Sequence, residues 1–401
     1  MIKSFKILLV CALSVIFIGF SEPVKAQTGN DPSNFFAAAS VGRANYGIIN
    51  DKREWVIAPM FKGLRLIKSD DVFSIMAEVG YDWGIIDTKN DFVSTLSKVV
   101  WPASLEDLHD LDGLWVAPPQ FKEIGNYFDK LIRAEKDHKC GFININGSWA
   151  ISPQFDTCGY FAEGLALAIQ NGKIGFIDKN GAWAVPNDFD NLDLFSEGLA
   201  AAEKGGKYGF IDKKGAWAIE PLFDDAYGFS EGLAAAAKDD KYGFIDKNAA
   251  WAISPEFEDI GIFSEGLAAA NIDGLWGFID KNGAWAIPPS FEEVFGFSEG
   301  LAVAAKDDKY GYIDQKGAWA IPPSFDEVAD FSGGMAMVKL DDMFGFIDKN
   351  GAWVIPPEFD TIEDFSGEFA PAALNGKYGI IDKKGNWVII PVYDNIYLPN
   401  Q

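Results

Sequence analysis

A 34-residue period constrains the fold of this chain more than any other sequence feature. A glycine that follows an aromatic or apolar residue recurs in eight consecutive copies, and a tryptophan follows each glycine eight residues later. The pairs are Gly141 and Trp149, Gly175 and Trp183, Gly209 and Trp217, Gly243 and Trp251, Gly277 and Trp285, Gly311 and Trp319, Gly345 and Trp353, and Gly379 and Trp387. Eight copies without an insertion or deletion indicate a repeat array, which grows by adding units.

Two further copies lie upstream in a degenerate form. Gly47 and Trp55 keep the offset of eight residues, whereas the next unit is split between Gly84 and Trp115 by an insertion. We therefore predict ten units. Degenerate N-terminal repeats occupy residues 27–135, with the insertion at about 88–112, and eight regular repeats with a C-terminal cap occupy residues 136–401.

Each unit is predicted to be built from short strands, because it contains glycine, proline, β-branched and aromatic residues and no long run of 3.6-residue periodicity. In the unit around Gly243 we predict strands at 233–238, 242–246 and 250–254. The polar stretches KDDK at 238–241 and DKNG at 280–283 are predicted to form the turns between strands.

Two details of the unit lead to further expectations. Pro288 and Pro289 are predicted to end the third strand, since proline cannot donate a hydrogen bond to a strand ladder. Ala249 occupies a turn position that is glycine in the other regular units, so we expect either backbone strain or a different turn there.

These features predict an all-β fold: a tandem array of about ten three-stranded antiparallel units, open and superhelical like a solenoid. The alternative is a closed, propeller-like ring. The open array is favoured because three strands are few for a propeller blade, and ten units exceed the usual four to eight blades.

The repeat resembles the bacterial WG repeat family, also written KWG. The residues that carry the resemblance are the run Trp276-Gly277-Phe278-Ile279-Asp280 and the commoner Tyr-Gly pair, as at Tyr208-Gly209, followed by a Lys-x-Gly turn, an apolar strand and proline. Tyrosine or phenylalanine often replaces the tryptophan before the glycine, which preserves an aromatic position. The resemblance implies a β-rich repeat with an interaction role and implies no catalytic residue.

The first 26 residues read as an export signal. Lys3 and Lys6 precede an apolar run, and Val24-Lys25-Ala26 fits the small-residue cleavage rule. We therefore expect an exported protein that is periplasmic, on the cell surface or secreted, with no membrane span after cleavage. The formal net charge of −25 argues against nucleic-acid partners, whose phosphates require cationic side chains.

The side chains that could perform chemistry are few. His109 and His138 are the only histidines and neither is repeated, so we predict no enzyme and no cofactor. Cys140 and Cys158 occupy apolar repeat positions, and both a disulfide and two buried thiols remain open. The DKNG turns lack the ligand spacing of a calcium loop, although weak cation binding by acidic turns remains an alternative.

Two regions are candidates for binding. The repeated tryptophans could stack on sugars, but their small neighbours indicate that they fill gaps between units. The insertion contains Trp101 and His109, and insertions into repeats often form a binding loop. We predict a monomeric, non-enzymatic scaffold for a protein or cell-envelope partner, with carbohydrate or envelope-polymer binding as the alternative.

Overall fold

The computed structural model of the protein describes residues 36–40, 46–50, 55–69, 72–79, 82–86, 115–144, 146–162 and 164–398. The predicted signal at 1–26, the insertion at 88–112, and its candidate binding residues Trp101 and His109 lie outside the described residues.

The described residues form ten four-stranded antiparallel sheets. We call them blades 1 to 10 and number their strands in chain order. Blade 1 contains β1 (Phe36–Ser40), β2 (Tyr46–Asn50), β3 (Trp55–Phe61) and β40 (Asn395–Tyr397); blade 2, β4 (Gly63–Ser69), β5 (Val72–Val79), β6 (Asp82–Ile86) and β7 (Trp115–Phe121); blade 3, β8 (Glu123–Phe128), β9 (Leu131–Lys136), β10 (Lys139–Ile143) and β11 (Trp149–Phe155); blade 4, β12 (Thr157–Ala162), β13 (Leu165–Gln170), β14 (Lys173–Asp178) and β15 (Trp183–Phe189); blade 5, β16 (Asn191–Leu192), β17 (Leu199–Lys204), β18 (Lys207–Asp212) and β19 (Trp217–Phe223).

The second half continues the same order. Blade 6 contains β20 (Asp225–Ala226), β21 (Ala234–Lys238), β22 (Lys241–Ile245) and β23 (Trp251–Phe257); blade 7, β24 (Asp259–Ile260), β25 (Leu267–Ile272), β26 (Leu275–Asp280) and β27 (Trp285–Phe291); blade 8, β28 (Glu293–Ser298), β29 (Leu301–Lys306), β30 (Lys309–Asp314) and β31 (Trp319–Phe325); blade 9, β32 (Glu327–Val328), β33 (Met335–Leu340), β34 (Met343–Asp348) and β35 (Trp353–Phe359); blade 10, β36 (Thr361–Ile362), β37 (Phe369–Leu374), β38 (Lys377–Asp382) and β39 (Trp387–Tyr393).

Each blade has one strand more than the sequence predicted. The additional strand comes first in the blade, and in half of the blades it has only two residues, as in β20. It is formed by the segment after the end of the preceding blade, to which the sequence analysis assigned no strand. Such a short strand gives no period-2 pattern, so the prediction of three strands per unit was wrong.

The ten blades form a closed ring, a ten-bladed propeller. The closing contact is made by β40, which pairs antiparallel with β1 through Ala38↔Tyr397, Ala39↔Ile396 and Ser40↔Asn395. The last strand of the chain therefore supplies the first strand of blade 1. The closed ring that we gave as the alternative fits this pairing better than the open, solenoid-like array, which has no such contact between its ends.

The repeated glycine is required by a close approach between the third and fourth strands. A Cβ atom on Gly277 would lie 2.5 Å from the carbonyl oxygen of Ile287 and 2.7 Å from the nitrogen of Pro289. The approach occurs at a β-bulge, where the register changes from Trp276↔Phe291 to Phe278↔Ile287. The other seven regular units have the same contact with backbone atoms, so the glycine is fixed by sterics.

The prolines lie inside the fourth strand and do not end it. β27 runs through Pro288 and Pro289 to Phe291, so the prediction that they stop the strand was wrong. The fourth strand is an edge of its sheet, and the bulge opposite Gly277 removes these residues from the regular ladder. At such positions proline loses no hydrogen bond.

The turn between the third and fourth strands depends on an aspartate and a residue with positive φ. In blade 7, Oδ1 of Asp280 accepts hydrogen bonds from the backbone N–H groups of Asn282 (2.8 Å) and Ala284 (3.0 Å). Gly283 has a φ of 80°. Ala249 adopts a φ of 62° in the same turn, so of the two outcomes expected there, the structure shows strain in an unchanged turn.

The hydrophobic core is divided among the junctions between blades. At the junction of blades 6 and 7, Phe244 and Phe257 of one blade pack with Ile260 and Ala268 of the next. The repeated tryptophan joins the same junction: Trp285 meets Phe257 edge to face, with ring centroids 5.7 Å apart. Equivalent pairs recur from Phe121 with Trp149 to Phe359 with Trp387, at 5.3–6.0 Å. Each blade therefore buries its apolar residues against its neighbours.

Ring closure predicts a large effect of truncating one residue of the last strand. Ile396 is fully buried against Ala39 of blade 1 and Ile380 and Ile389 of blade 10. Ile396→Ala should lower the free energy of unfolding by about 2–5 kcal/mol, measured by urea denaturation. Ile390→Ala, at an exposed position nearby, is the control and should change it by about 0.5 kcal/mol or less. Equal, small effects of both would contradict a closed ring.

The strained turn predicts a stabilising substitution. Ala249→Gly should raise the free energy of unfolding by about 1 kcal/mol, because glycine adopts a φ of 62° without a steric penalty. Ala250→Gly, at the next position and without positive φ, should instead lower it by roughly 0.5–1 kcal/mol. A loss of stability in Ala249→Gly would show that the turn carries no strain.

Candidate functional site

The turn between the first and second strands links neighbouring blades through a serine and a glutamate. Ser196 Oγ donates a hydrogen bond to the carbonyl oxygen of Phe229 at 2.6 Å. Glu197 accepts one from the N–H of Gly232 (3.1 Å) and pairs with Lys247 Nζ (3.1 Å). The serine contact recurs at Ser230, Ser264 and Ser298, and the glutamate contact at Glu231, Glu265 and Glu299. These glutamates connect blades, a role that the sequence analysis did not assign to them.

A second series of contacts runs along the opposite ends of the strands. A lysine that begins the third strand pairs with an acidic residue 17 positions later, which lies in the connection to the next blade. Lys139 meets Asp156 at 2.5 Å and Lys377 meets Asp394 at 2.5 Å, and Lys173, Lys207 and Lys309 meet Asp190, Asp224 and Asp326. The acid also binds the next blade: the N–H of Asn171 donates to Asp156 at 2.7 Å.

Cys140 and Cys158 are joined by a disulfide. Cys140 lies in β10 of blade 3 and Cys158 in β12 of blade 4, and both side chains are buried. In other units the same two positions hold an aromatic and an aliphatic residue that pack across the junction, such as Tyr208 and Ala226. The bond therefore replaces an ordinary contact between blades, which settles the alternative that the sequence left open.

An unusual apolar surface lies on the first-strand segments of five consecutive blades. Each segment exposes one large apolar side chain, at 38–58% of its maximum, and the five are Tyr160, Leu194, Tyr227, Ile262 and Phe295. We call this set the apolar band. Neighbouring segments are close together, since a Cβ atom on Gly228 would lie 3.5 Å from Cβ of Ser196. The five side chains stand at two adjacent repeat positions, Tyr160, Leu194 and Ile262 at one and Tyr227 and Phe295 at the other.

Acidic side chains continue the same surface. Asp193, Asp330 and Glu363 also lie on the segments that lead to the first turn of their blades, and water reaches all three. They are nevertheless densely surrounded by protein atoms. Desolvation raises the pKa of each carboxyl, and the nearby charges of Asp225 and Asp364 add to the shift at Asp193 and Glu363.

The residues singled out from the sequence either serve the packing of the ring or lie in an exposed turn. The repeated glycines lie at the β-bulges between third and fourth strands, and the repeated tryptophans lie at the junctions between blades. Their tryptophan rings are partly buried, except for the more exposed Trp353. His138 has a φ of 58° in an exposed hairpin turn.

The apolar band and its acidic neighbours were missed by the sequence analysis. They occupy positions whose residue type changes from unit to unit, and a search for what repeats passes over such positions. Variation at two adjacent repeat positions was the available signal.

Comparison with known proteins identifies the repeat. The family model described as WG containing repeat matches ten stretches of the chain: residues 46–75, 110–140, 141–173, 174–208, 208–242, 242–276, 276–310, 310–343, 344–378 and 378–401. No curated protein matches the chain.

Solved structures resemble the fold at low sequence identity. A crystal structure of the eukaryotic initiation factor has a TM-score of 0.51 and 13% identity over 90% of this chain and 96% of that chain. Hsv2p of Kluyveromyces lactis has a TM-score of 0.35 and 8% identity over 63% and 92%. PorZ of Porphyromonas gingivalis has a TM-score of 0.28 and 11% identity over 90% and 54%. The first supports the fold alone.

The described residues contain neither a metal-binding cluster nor a membrane-spanning helix. Within them, no group of three or more histidine, cysteine or acidic side chains is arranged to hold a metal ion. The same part of the chain contains no helix with the length and apolarity needed to cross a membrane.

The two classes of carboxyl predict a stability maximum in mildly acidic solution. The folded state raises the pKa of Asp193, so it binds protons more readily than the unfolded state, and protonation as the pH falls from 7 stabilises it. Hydrogen bonds from Ala284 and Asn282 hold the pKa of Asp280 below its ordinary value of 3.8. Its contribution is complete above that value and is lost as the pH falls below it.

The measurement is urea denaturation between pH 3 and pH 7. The variant Asp193→Asn/Asp330→Asn/Glu363→Gln should be more stable than the unmodified protein at pH 7, and the difference should shrink as the pH falls. The control Asp280→Ala should be less stable at pH 7. A triple variant that is less stable at neutral pH would contradict the assignment.

Proposed function

The chain belongs to the WG repeat family, and from this premise we propose that it is an exported, non-enzymatic scaffold that binds a protein or cell-envelope partner through the apolar band. Export is inferred from the signal pattern at residues 1–26. The repeated polar side chains support a scaffold role, since Ser196, Glu197 and Asp280 are occupied by turn and inter-blade hydrogen bonds.

The observation that carries the proposal is that one exposed apolar side chain recurs in each of five consecutive blades. Single exposed apolar residues are common on soluble proteins and require no explanation. Here five consecutive blades each expose one, at one of two adjacent repeat positions. Packing within the ring does not require this, because the equivalent segments of blades 9 and 10 carry Asp330 and Glu363 instead. An apolar surface bordered by charged groups is typical of a protein interaction site.

The test is a pull-down from the envelope fraction of the producing organism, in which the amount of retained partner is compared between two triple variants and the unmodified protein. Leu194→Ser/Tyr227→Ser/Phe295→Ser removes three of the five side chains of the apolar band, including Tyr227 at its centre. It should reduce recovery of a specifically retained component by about tenfold or more, as truncation of central interface residues typically does.

The matched control changes an equal number of exposed apolar residues on fourth strands. Leu222→Ser/Ile390→Ser/Val392→Ser should retain the component at the level of the unmodified protein. Equal losses in both triple variants, or no loss in the first, would count against binding by the apolar band.

Carbohydrate or envelope-polymer binding is the second candidate. It is favoured by the repeated tryptophan rings, which are only partly buried and reach 39% exposure at Trp353. An exposed indole face can stack on a sugar ring. This function would be favoured over the first if both triple variants still bind purified envelope polysaccharide and no protein is retrieved from the envelope fraction.

A further inference from the structure

A cleft at the junction of blades 7 and 8 combines aromatic and acidic side chains. Its volume is about 390 Å³, which is sufficient for a small organic ligand. The cleft is lined by Trp276, Glu292, Glu293, Ala305, Asp308 and Tyr310. It lies at the same ends of the strands as the lysine–acid series, away from the turns of the Ser196 series.

The cleft coincides with a break in the lysine–acid series. Glu292 occupies the position of the acid, but the residue 17 positions before it is Leu275 in place of lysine. Among the described residues, Glu292 makes no ion pair. It accepts only a long hydrogen bond of 3.3 Å from the N–H of Asp307 and a marginal one of 3.5 Å from that of Asp308. The repeat therefore presents an acid here without its usual cation.

The neighbouring junctions lack this combination. The junction before it retains Lys241, 3.5 Å from Glu258, and the junction after it contains both Lys309 and Lys339, which pair with Asp326 and Glu327. Among the eight regular units, the other one without the lysine has Met343 and Asp360. There Asp360 accepts a short hydrogen bond of 2.7 Å from Gly376, and Thr361 stands where the cleft has a second glutamate.

The geometry points to a binding site for a primary alkylammonium group, such as the side chain of a lysine presented by a polypeptide. The ammonium occupies the place that a lysine of the chain fills at other junctions and pairs with Glu292. The alkyl chain lies against the aromatic walls formed by Trp276 and Tyr310, which also attract cations. Glu293 fixes one wall, because it accepts a 2.7 Å hydrogen bond from the Tyr310 hydroxyl.

The negative charge of the residues that line the cleft favours a cation over a neutral sugar. Glu292, Glu293 and Asp308 place three carboxylates around the cleft, and no lysine or arginine lines it. A neutral ligand would leave these charges uncompensated, whereas an ammonium pairs with them and can be partly desolvated by the rings. No residue of the apolar band lines the cleft, so the inference neither requires the proposed function nor is excluded by its failure.

The experiment follows the indole N–H resonance of Trp276 by NMR during titration of the whole mature chain. The probes are n-butylammonium and Nα-acetyl-lysine methylamide, with n-butanol as the neutral control, and Trp276→Phe identifies the resonance. Both amines should shift this signal in a saturable manner and butanol should not. A stronger response to the lysine derivative would show that the adjoining peptide contributes; an equal response would show recognition of the ammonium alone.

Three variants test whether the ammonium group binds beside Glu292. Leu275→Lys restores the missing cation at an exposed position and should abolish binding of both amines. Met343→Lys makes the same kind of change at the junction that lacks the cleft and should leave binding unchanged. Glu292→Gln should weaken binding about fivefold, as expected for one exposed ion pair.

Two results would contradict the proposed ammonium site. Unchanged binding in Leu275→Lys, or an equal shift with butanol, would refute an ammonium site. The remaining indole resonances report whether each variant keeps the native fold, so a loss of binding caused by misfolding is recognised as such.

Discussion

The structure depends on packing between blades, because no blade can bury its own apolar residues. A four-stranded sheet of short strands has two faces. Here one face is covered by the preceding sheet and the other by the next sheet, as Phe257 of blade 6 is covered by Trp285 of blade 7. The small side chains of the second strands, such as Ala268 and Ala270, allow the sheets to approach closely. Closure through β40 follows from the same requirement, since an open array would leave two faces uncovered.

The requirement also explains which residues repeat and which vary. Gly277 and its equivalents repeat because a side chain would collide with the adjacent backbone, and Asp280 repeats because it satisfies the N–H groups of a turn. Positions that face neither a junction nor a turn are free to differ. The residues of the apolar band stand at positions that vary between units. The cleft at Glu292 forms where Leu275 replaces a repeated lysine. Specific binding can therefore evolve without disturbing the ring.

Much of the fold could be predicted from the sequence, but not its closure. The period of 34 residues gave the number of units, the turns and the β class, and the family match confirms the resemblance to WG repeats. The first strand was missed because two paired residues, as in β20, leave no periodic pattern. The pairing of Ala39 with Ile396 joins residues far apart in sequence, and no local pattern encodes it. The apolar band was missed because its residues do not repeat, and the cleft because it depends on the replacement of one repeated lysine by Leu275.

The position of the closing strand has a consequence for the order of folding. Blade 1 begins with residues 36–61 but receives its remaining strand only from residues 395–397. Because chains are synthesised from the N-terminus, blades 2 to 10 can form and stack while blade 1 still has an unpaired strand edge. Ring closure is then a late step that pairs residues from the two ends of the described chain. The Cys140–Cys158 bond between blades 3 and 4 holds one early junction together during that interval.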